Sequence, residues 1–195
     1  GISHDLRTPL TRIKLQLAFI KDQNISKKLS EDVNEMEKML NEYLEFARSG
    51  AKEKTENFDL SELIKSTISK YNNPQIYFDG ILECPFNGRK NLIQRCLNNF
   101  IDNSIKYGKN VHIKLEKFKK NISIYIEDDG PGIPNKEYEN VFKPFYKIDK
   151  GRTGSKSSVG LGLSISSDIV RSHGGKIDLS SSKMNGLKVK ISLPS

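Results

Sequence analysis

Residues 111–118 read VHIKLEKF and residues 122–127 read ISIYIE. In both runs apolar and polar residues alternate with a period of two, which is typical of strands that bury one face. Outward from these runs, the sequence predicts helices over 59–71, 88–107, 136–142 and 161–173, and strands over 76–82, 176–181 and 187–193. Strands separated by helices, with antiparallel neighbours near the end of the chain, predict an α+β layer sandwich.

The first 49 residues have a helical period instead. Apolar residues recur at spacings of three and four on both sides of a polar break at 22–24, which predicts two helices joined as an antiparallel hairpin. A lone hairpin buries its apolar stripes poorly, so we expect a homodimer that forms a four-helix bundle. The stripes consist of Leu6, Leu10, Ile13, Leu17 and Ile20 on the first helix, and of Leu29, Val33, Met36, Leu40, Tyr43 and Ala47 on the second.

The change of period divides the chain. Ser49-Gly50 reads as a helix stop, so we predict a hairpin domain over 1–50, a linker over 51–58 and a second domain over 59–195. Asp59 is a plausible N-cap for the helix that follows. Residues 150–160, rich in Gly, Ser and Lys, are expected to be mobile.

Composition limits the partners. The net charge is +8, but most basic residues are scattered lysines rather than the clustered arginines of nucleic-acid readers, so no nucleic-acid partner is expected. No run approaches the roughly 18 apolar residues of a membrane span, and we expect no membrane contact by this segment. Two cysteines, Cys84 and Cys96, are too few for a disulfide framework and suit a reducing, cytoplasmic setting.

His4 is the first candidate for chemistry. It precedes the stripe residue Leu6 by two positions, so at about 100° per residue it lies roughly 200° away, on the opposite side of the helix. Asp5 can accept a hydrogen bond from Nδ1–H of His4, which would leave Nε2 as a nucleophile. Thr8 shares a face with His4, and Pro9 bends this turn. The alternative is an idle surface histidine.

A second group of candidates points to a nucleotide. Asp128 ends a strand and is followed by Gly130 and Gly132, so its carboxylate can accept from an adenine amine while the glycines permit a sharp turn. A plain Asp-Gly-Pro turn is the alternative. A helix opens at Gly160-Leu161-Gly162, where exposed N–H groups allow phosphates to approach, although a tightly packed loop is equally compatible.

The helix over 88–107 carries polar residues on one face, namely Asn99, Asn103, Lys106 and Tyr107. Amide oxygens suit Mg²⁺, and Lys106 can pair with phosphate as a point charge. The alternative is a solvated outer stripe. Phe142 and Phe145 precede the mobile stretch and are interpreted as its hydrophobic anchor.

The chain carries five motifs in this order: the segment around His4, the polar face of the helix over 88–107, the turn after Asp128, the Phe142 and Phe145 pair, and Gly160-Leu161-Gly162. Together they resemble the cytoplasmic catalytic core of bacterial sensor histidine kinases, and the segment around His4 is similar to the osmosensor-type subfamily. The resemblance covers essentially the whole chain. It implies a dimerisation and phosphotransfer hairpin followed by an ATP-binding α/β sandwich of the Bergerat or GHKL type. It also implies that the chain is part of a longer, membrane-anchored receptor.

The resemblance assigns roles to single residues. His4 is implied as the phosphoacceptor, Asp5 as the adjacent acid or base, and Thr8 as the residue that supports dephosphorylation of the partner. Asn103 is implied as the Mg²⁺ ligand and Asp128 as the adenine reader. Contacts with ATP are implied for Asn99, Lys106, Tyr107, Gly130, Gly132, Lys147, Gly160, Leu161 and Gly162.

The implied activity is ATP-dependent autophosphorylation of His4, followed by transfer to an aspartate of a response-regulator receiver domain. Ser158 stands where the family has glycine and Lys147 where it often has arginine, and both departures favour a slower reaction. Two alternatives remain, a plain ATPase or ATP-gated clamp of the Hsp90-like group and a degenerate scaffold that binds a regulator.

Overall fold

The computed structural model describes residues 2–20, 22–148 and 160–195. A helical hairpin, residues 2–52, precedes a mixed unit of strands and helices, residues 56–195, which we call the sheet domain. The helices are α1 (Ile2–Leu17), α2 (Gln23–Lys52), α3 (Leu60–Ser69), α4 (Lys90–Tyr107) and α5 (Gly162–Ser172). The strands are β1 (Glu56–Asp59), β2 (Ile76–Gly80), β3 (Pro85–Gly88), β4 (Val111–Phe118), β5 (Asn121–Asp128), β6 (Lys176–Ser181) and β7 (Leu187–Pro194).

The main sheet has five strands in the order β2-β4-β5-β7-β6. Strand β2 runs parallel to β4, and the other pairs are antiparallel. The alternation in β4 and β5 places Ile113, Leu115, Ile124 and Ile126 in the core, each at most 1% exposed. Helices α3, α4 and α5 contribute their apolar faces to the same core. The predicted α+β layer sandwich is confirmed.

The other face of the sheet is polar. On this face, one residue from each of the five strands lies directly opposite its counterpart on the adjacent strand, so that the five form a continuous row across the sheet. The Lys190 ammonium lies 5.7 Å from the centre of the Tyr125 ring in this row. In strand order, the row consists of Asp79, Lys114, Tyr125, Lys190 and Asp178.

Helix α3 begins as predicted. Asp59 is its N-cap, with the side chain accepting a hydrogen bond from the backbone N–H of Glu62 at 2.9 Å. The other carboxylate oxygen accepts from the N–H of Cys84 at 2.7 Å. One carboxylate therefore satisfies a first-turn donor of α3 and fixes the start of β3.

Two expectations about the end of the hairpin are wrong. Helix α2 does not stop at Gly50 but continues to Lys52, and the expected linker contains strand β1, which pairs with β3 in a separate two-stranded sheet. A four-residue strand with one large apolar side chain, Phe58, has too little alternation to be visible in the sequence. The domain boundaries at 50 and 59 stay predictions.

The helix predicted over 136–142 is replaced by two short 3-10 turns, Asn135–Glu137 and Asn140–Phe142. Pro134 and Pro144 bracket this segment, and of the two turns only Val141 is buried. So short a stretch has too little apolar contact to hold a continuous helix. The segment expected to be mobile, 150–160, lies outside the described residues except for Gly160.

The hairpin has a small core of its own. Leu10, Leu17 and Val33 are buried, with Ile20 and Leu40 packed against them. The turn is fixed by Asp22, whose side chain accepts from two backbone N–H groups at the start of α2. The stripe residues Ile13, Leu29 and Met36 are 38%, 40% and 52% exposed. The side chains of Leu6, Tyr43 and Ala47 lie outside the described set.

Within the described ranges, we found no helix with the length and apolar content that a membrane crossing requires.

Candidate functional site

Asp128 ends the central strand β5 and is only 5% exposed. One carboxylate oxygen, Oδ1, accepts from the backbone N–H groups of Gly130 at 3.0 Å and Leu187 at 3.1 Å. The other, Oδ2, accepts from the Ser104 hydroxyl of α4 at 3.2 Å. Three elements therefore hold this carboxylate in one orientation, with acceptor capacity left on Oδ2.

The backbone around Asp128 has no room for side chains. A Cβ at Gly130 would lie 2.9 Å from the carbonyl oxygen of Tyr107, at the end of α4. A Cβ at Gly186, in the turn before β7, would lie 2.6 Å from the nitrogen of Gly130 and closer still to the carbonyl oxygen of Asp128. Gly132 has a φ of +68°, a conformation that favours glycine. The turn is thus shaped by three glycines.

Asp129 has a different task from its neighbour. It accepts from the backbone N–H of Asn110 at 2.9 Å, the Asn110 side-chain amide at 2.7 Å and the backbone N–H of Lys109 at 2.7 Å. The bonds from Asn110, followed by that from Lys109, lower the pKa of Asp129 from 3.8 to about 2. This carboxylate fixes the connection between α4 and β4, beside the Asp128 turn.

The polar face of α4 meets the start of α5. The Asn99 side-chain nitrogen donates to the carbonyl oxygen of Gly162 at 2.9 Å and to the Ser166 hydroxyl at 3.0 Å. Asn103 lies one turn further along α4 and is half-buried. Asn99 thus ties α4 to the first turn of α5, and its side-chain oxygen is the atom left for a cation or ligand.

Lys106 and Tyr107 lie at the last turn of α4, and both are exposed. The Lys106 ammonium lies 5.2 Å from the centre of the Tyr107 ring. Because the carbonyl of Tyr107 borders Gly130, the end of this helix and the Asp128 turn form one edge of the site.

The segment before the Gly-Leu-Gly helix start is held by its backbone. The N–H of Phe145 donates to the carbonyl oxygen of Gly160 at 2.9 Å, and Gly160 has a φ of +77°. Phe145 itself is 53% exposed, so the expectation that its ring anchors the segment is wrong. Val141 is the buried apolar side chain here, and Phe142 is half-buried.

A carboxylate supports the same segment. Glu137 accepts from the Tyr146 hydroxyl at 2.5 Å and from the Asn140 side-chain amide at 3.1 Å, and these bonds lower its pKa. Lys147 follows with an exposed side chain. Leu161 is 2% exposed and precedes α5, while Ser158 lies outside the described residues.

The structure places His4 and Asp5 in the first turns of α1, and their side chains lie outside the described set. Thr8 is exposed one turn later, and Pro9 lies inside the helix. The proposed roles of these residues therefore stay predictions.

Sequence reasoning missed three contributors to the Asp128 site: Ser104, Gly186 and Leu187. Ser104 had a detectable signal, because it occupies a core position three residues after the apolar Ile101 and a polar residue there needs a partner. Gly186 and Leu187 belong to the β6–β7 connection, and their sequence gives no sign of contact with a residue nearly sixty positions earlier.

Comparison with known proteins identifies the architecture. The family "Histidine kinase-, DNA gyrase B-, and HSP90-like ATPase" matches residues 88–195, more than half of the chain, and "His Kinase A (phospho-acceptor) domain" matches residues 1–52. The chain belongs to this ATPase family. The two matches in this order make it a sensor histidine kinase catalytic core, as the motifs indicated. The osmosensor-type assignment stays a prediction.

Individual relatives agree with this family. The chain is 31% identical to the sensor histidine kinase GtrS of Pseudomonas aeruginosa over 196 residues, which covers 100% of this chain and 41% of GtrS. The mycobacterial sensor histidine kinase MprB matches 72% of this chain and 97% of the solved chain, with a TM-score of 0.63 and 25% identity. Full-length ShkA, solved with AMPPNP, shares the fold over 99% of this chain and 44% of its own, with a TM-score of 0.71 and 20% identity.

Proposed function

We propose that this histidine kinase core phosphorylates its own His4 with ATP and passes the phosphoryl group to an aspartate of a response-regulator receiver domain. The observation that carries the proposal is the buried, oriented Asp128 carboxylate in a chain that also bears a phosphoacceptor-type hairpin. The chain spans less than half the length of the sensor kinases it matches, so the activity of the whole protein is part of the proposal.

The nucleotide end of the site fits adenine. Asp128 is buried among neutral donors, and its Oδ2 accepts only the Ser104 hydroxyl among the described residues, which leaves a lone pair for the adenine amine. Gly130 lets this turn pack against the end of α4, and Gly132 permits its positive φ, so that the Asp128 carboxylate is held in place for the ring. We assign adenine recognition to Asp128, Gly130 and Gly132.

The phosphate end lies between α4 and α5. The side-chain oxygens of Asn103 and Asn99 are suitable Mg²⁺ ligands, and the bound ion would neutralise charge on the phosphates. The first-turn N–H groups after Gly160, Leu161 and Gly162 lie beside Asn99, so they are placed to receive the same phosphates. Lys106, Tyr107 and Lys147 are assigned to the rim, where exposed side chains can reach the ligand.

The transfer itself needs little from the protein beyond positioning. The lone pair on Nε2 of His4 attacks the γ-phosphorus, the bond to the bridging oxygen breaks, and ADP leaves. Asp5 holds the proton on Nδ1, which keeps Nε2 unprotonated. In a separate phosphatase reaction, Thr8 orients a water that attacks the regulator's aspartyl phosphate and releases phosphate, and the exposed Arg12 and Gln16 contact that regulator.

The test uses two of the three histidines of the chain. Incubation with γ-labelled ATP and Mg²⁺ is expected to give an acid-labile, base-stable phosphoprotein. The label is expected to disappear in His4→Gln and to persist in the control His112→Gln, whose side chain lies on the outer face of the sheet. Label that survives in His4→Gln would overturn the assignment.

Two outcomes would support the alternatives. Released phosphate without a phosphoprotein would favour a plain ATPase or clamp. Absence of ATP binding would favour a scaffold.

We also propose that the chain acts as a homodimer in the cytoplasm, as part of a membrane-anchored receptor. Apolar side chains of the hairpin are unusually exposed, among them Phe19 at 86% and Leu15 at 63%. With Ile13, Leu29 and Met36 they present more apolar surface than a small hairpin leaves to water, and a second copy would cover it. Cytoplasmic placement follows from the substrate and partner, ATP and a response regulator.

A further inference from the structure

Three residues, 53–55, separate helix α2 of the hairpin from strand β1 of the sheet domain. Glu53 is the first of them. One of its carboxylate oxygens accepts from the backbone N–H of Asn91 at 2.6 Å, and the other accepts from the N–H of Leu92 at 3.2 Å. The end of the hairpin is therefore bonded directly to the start of α4.

These two donors belong to the first turn of α4, where backbone N–H groups have no partner within the helix. The N-cap residue, Arg89, makes no side-chain cap, and its guanidinium instead donates to Ser172. Glu53 takes over the capping from 38 positions earlier in the chain. A carboxylate is the favoured group at this end of a helix, because the helix dipole is positive there.

A second contact lies on the same side of α2. Met39 packs against the core of the sheet domain. It precedes Glu53 by 14 residues, which on a helix is a separation of about 21 Å and a rotation of only about 40°. The sheet domain therefore touches the hairpin at two points along one face of α2 and its immediate extension.

The Met39 contact lies at the height of His4. The Ser26 hydroxyl of α2 donates to the carbonyl oxygen of Leu17 of α1 at 3.0 Å, and this contact sets the register of the antiparallel helices. His4 precedes Leu17 by thirteen residues, and thirteen residues beyond Ser26 is Met39. Along the hairpin, His4 is therefore level with the contact made by Met39, and Glu53 is the second contact further along the same face.

We propose that Glu53 is a positioning residue that docks the sheet domain beside the height of His4, so that its carboxylate accelerates phosphoryl transfer without affecting ATP binding. This inference rests on the proposed function. Glu53 does not touch the Asp128 site, and it acts through the N-terminal end of α4, whose far end carries Asn103. Restricting the orientation of two reacting groups raises the rate of their reaction.

The kinetic test compares Glu53→Gln with Glu56→Gln in the full chain. Glu56 undergoes the same chemical change three residues away, and its side chain is exposed. At saturating ATP, the rate of His4 phosphorylation is expected to fall about tenfold in Glu53→Gln, the effect of losing one charge-assisted hydrogen bond, and to stay unchanged in Glu56→Gln. Glu53→Asp, which keeps the charge but is shorter, is expected to be intermediate. KM for ATP is expected to be the same in all four proteins.

A second measurement does not depend on activity. Amide hydrogen exchange at Asn91 and Leu92 is expected to be about tenfold faster in Glu53→Gln than in wild type or Glu56→Gln, because glutamine offers one uncharged acceptor oxygen to two donors. Unchanged exchange would overturn the docking contact. Faster exchange with an unchanged phosphorylation rate, or with a raised KM, would overturn the positioning role. A wild-type chain that binds ATP but never becomes phosphorylated would instead refute the proposed function, and the exchange data would still decide the docking.

Discussion

The hairpin and the sheet domain solve the problem of burying apolar surface in different ways. In the sheet domain, three helices and five strands share one continuous core, with Ile101, Ile113 and Ile126 fully buried. Among the hairpin side chains that the structure describes, a few apolar ones are buried, while residues of the same stripes, such as Leu29, remain exposed to water. The core of the sheet domain is therefore closed within a single copy, whereas the described part of the hairpin exposes apolar side chains that the proposed dimer would cover.

The largest expected effect comes from a matched pair of leucine truncations. Leu97 of α4 is 1% exposed and Leu29 of α2 is 40% exposed. Leu97→Ala is expected to lower the free energy of unfolding of the sheet domain by about 2–5 kcal/mol at every protein concentration, since it leaves a cavity in a closed core. Leu29→Ala is expected to leave that unfolding unchanged and to weaken dimerisation. Urea unfolding and sedimentation equilibrium measure the two effects.

The comparison fails if Leu29→Ala leaves the dimer dissociation constant unchanged. It also fails if the stability loss in Leu97→Ala depends on protein concentration.

A glycine substitution tests how far the closed packing of the sheet domain serves the nucleotide site. In Gly186→Ala the new methyl would collide with the backbone at Gly130 and Asp128. The strain is expected to cost about 1–3 kcal/mol of unfolding free energy and to weaken ATP binding, because the Asp128 carboxylate must move. Lys183→Ala, an exposed position in the same connection, is the control. Calorimetric titration with ATP gives the affinity, and an unchanged affinity in Gly186→Ala would contradict the role of this turn.

The smallest effect concerns the junction between the two regions. His173 accepts at Nε2 from the N–H of Arg89 at 3.0 Å, and its Nδ1–H donates to the carbonyl oxygen of Ile169 at 2.8 Å. The bond from Arg89 requires the neutral ring because Nε2 must accept, whereas the bond to Ile169 forms in both charge states. The pKa of His173 is lowered, chiefly by burial and further by the nearby charge of Arg89. The hydrogen bond to the Ile169 carbonyl and the charge of Glu53 oppose this by raising the pKa.

Because the folded-state pKa of His173 is lower than the unfolded value, its contribution to stability is complete above about pH 6.5 and is lost as the pH falls through the folded-state pKa. Wild type is therefore expected to lose more stability between pH 7.5 and pH 5 than His173→Gln does. Urea midpoints at both pH values measure this difference, with His112→Gln as the control. Equal pH dependence in wild type and His173→Gln would show that the junction does not sense protonation of His173.

What the sequence predicted depended on the range of the interactions. The alternation in β4 and β5 and the N-cap at Asp59 involve residues that are close in sequence. A few consecutive residues are therefore enough to predict them. The order of motifs identified the family, since each motif carries its own geometry. Strand β1 and the capping of α4 by Glu53 depend on partners about 30 to 38 residues away, and no local pattern records them.

In the candidate site, too, residues marked by a local pattern were predicted, whereas contacts with residues distant in sequence were not. Asp128 was identified from its position at a strand end, whereas the N–H of Leu187 that orients it comes from the neighbouring strand β7, nearly sixty residues later in the chain. Phe145 was assigned an anchoring ring because aromatic side chains are usually buried. Its contact with Gly160 is made by the backbone N–H, at a φ of +65°, and the ring plays no part in it.

The polar row across the open face of the sheet ends in an aspartate on each of the two edge strands, Asp79 on β2 and Asp178 on β6. Charged side chains on an edge strand disfavour pairing with a further strand, and on β6 Asp178 also forms an ion pair with Lys176. In a crowded cell this arrangement discourages the sheets from joining into longer ribbons. On the proposed function, copies of the chain would then pair through the hairpin rather than through the sheet.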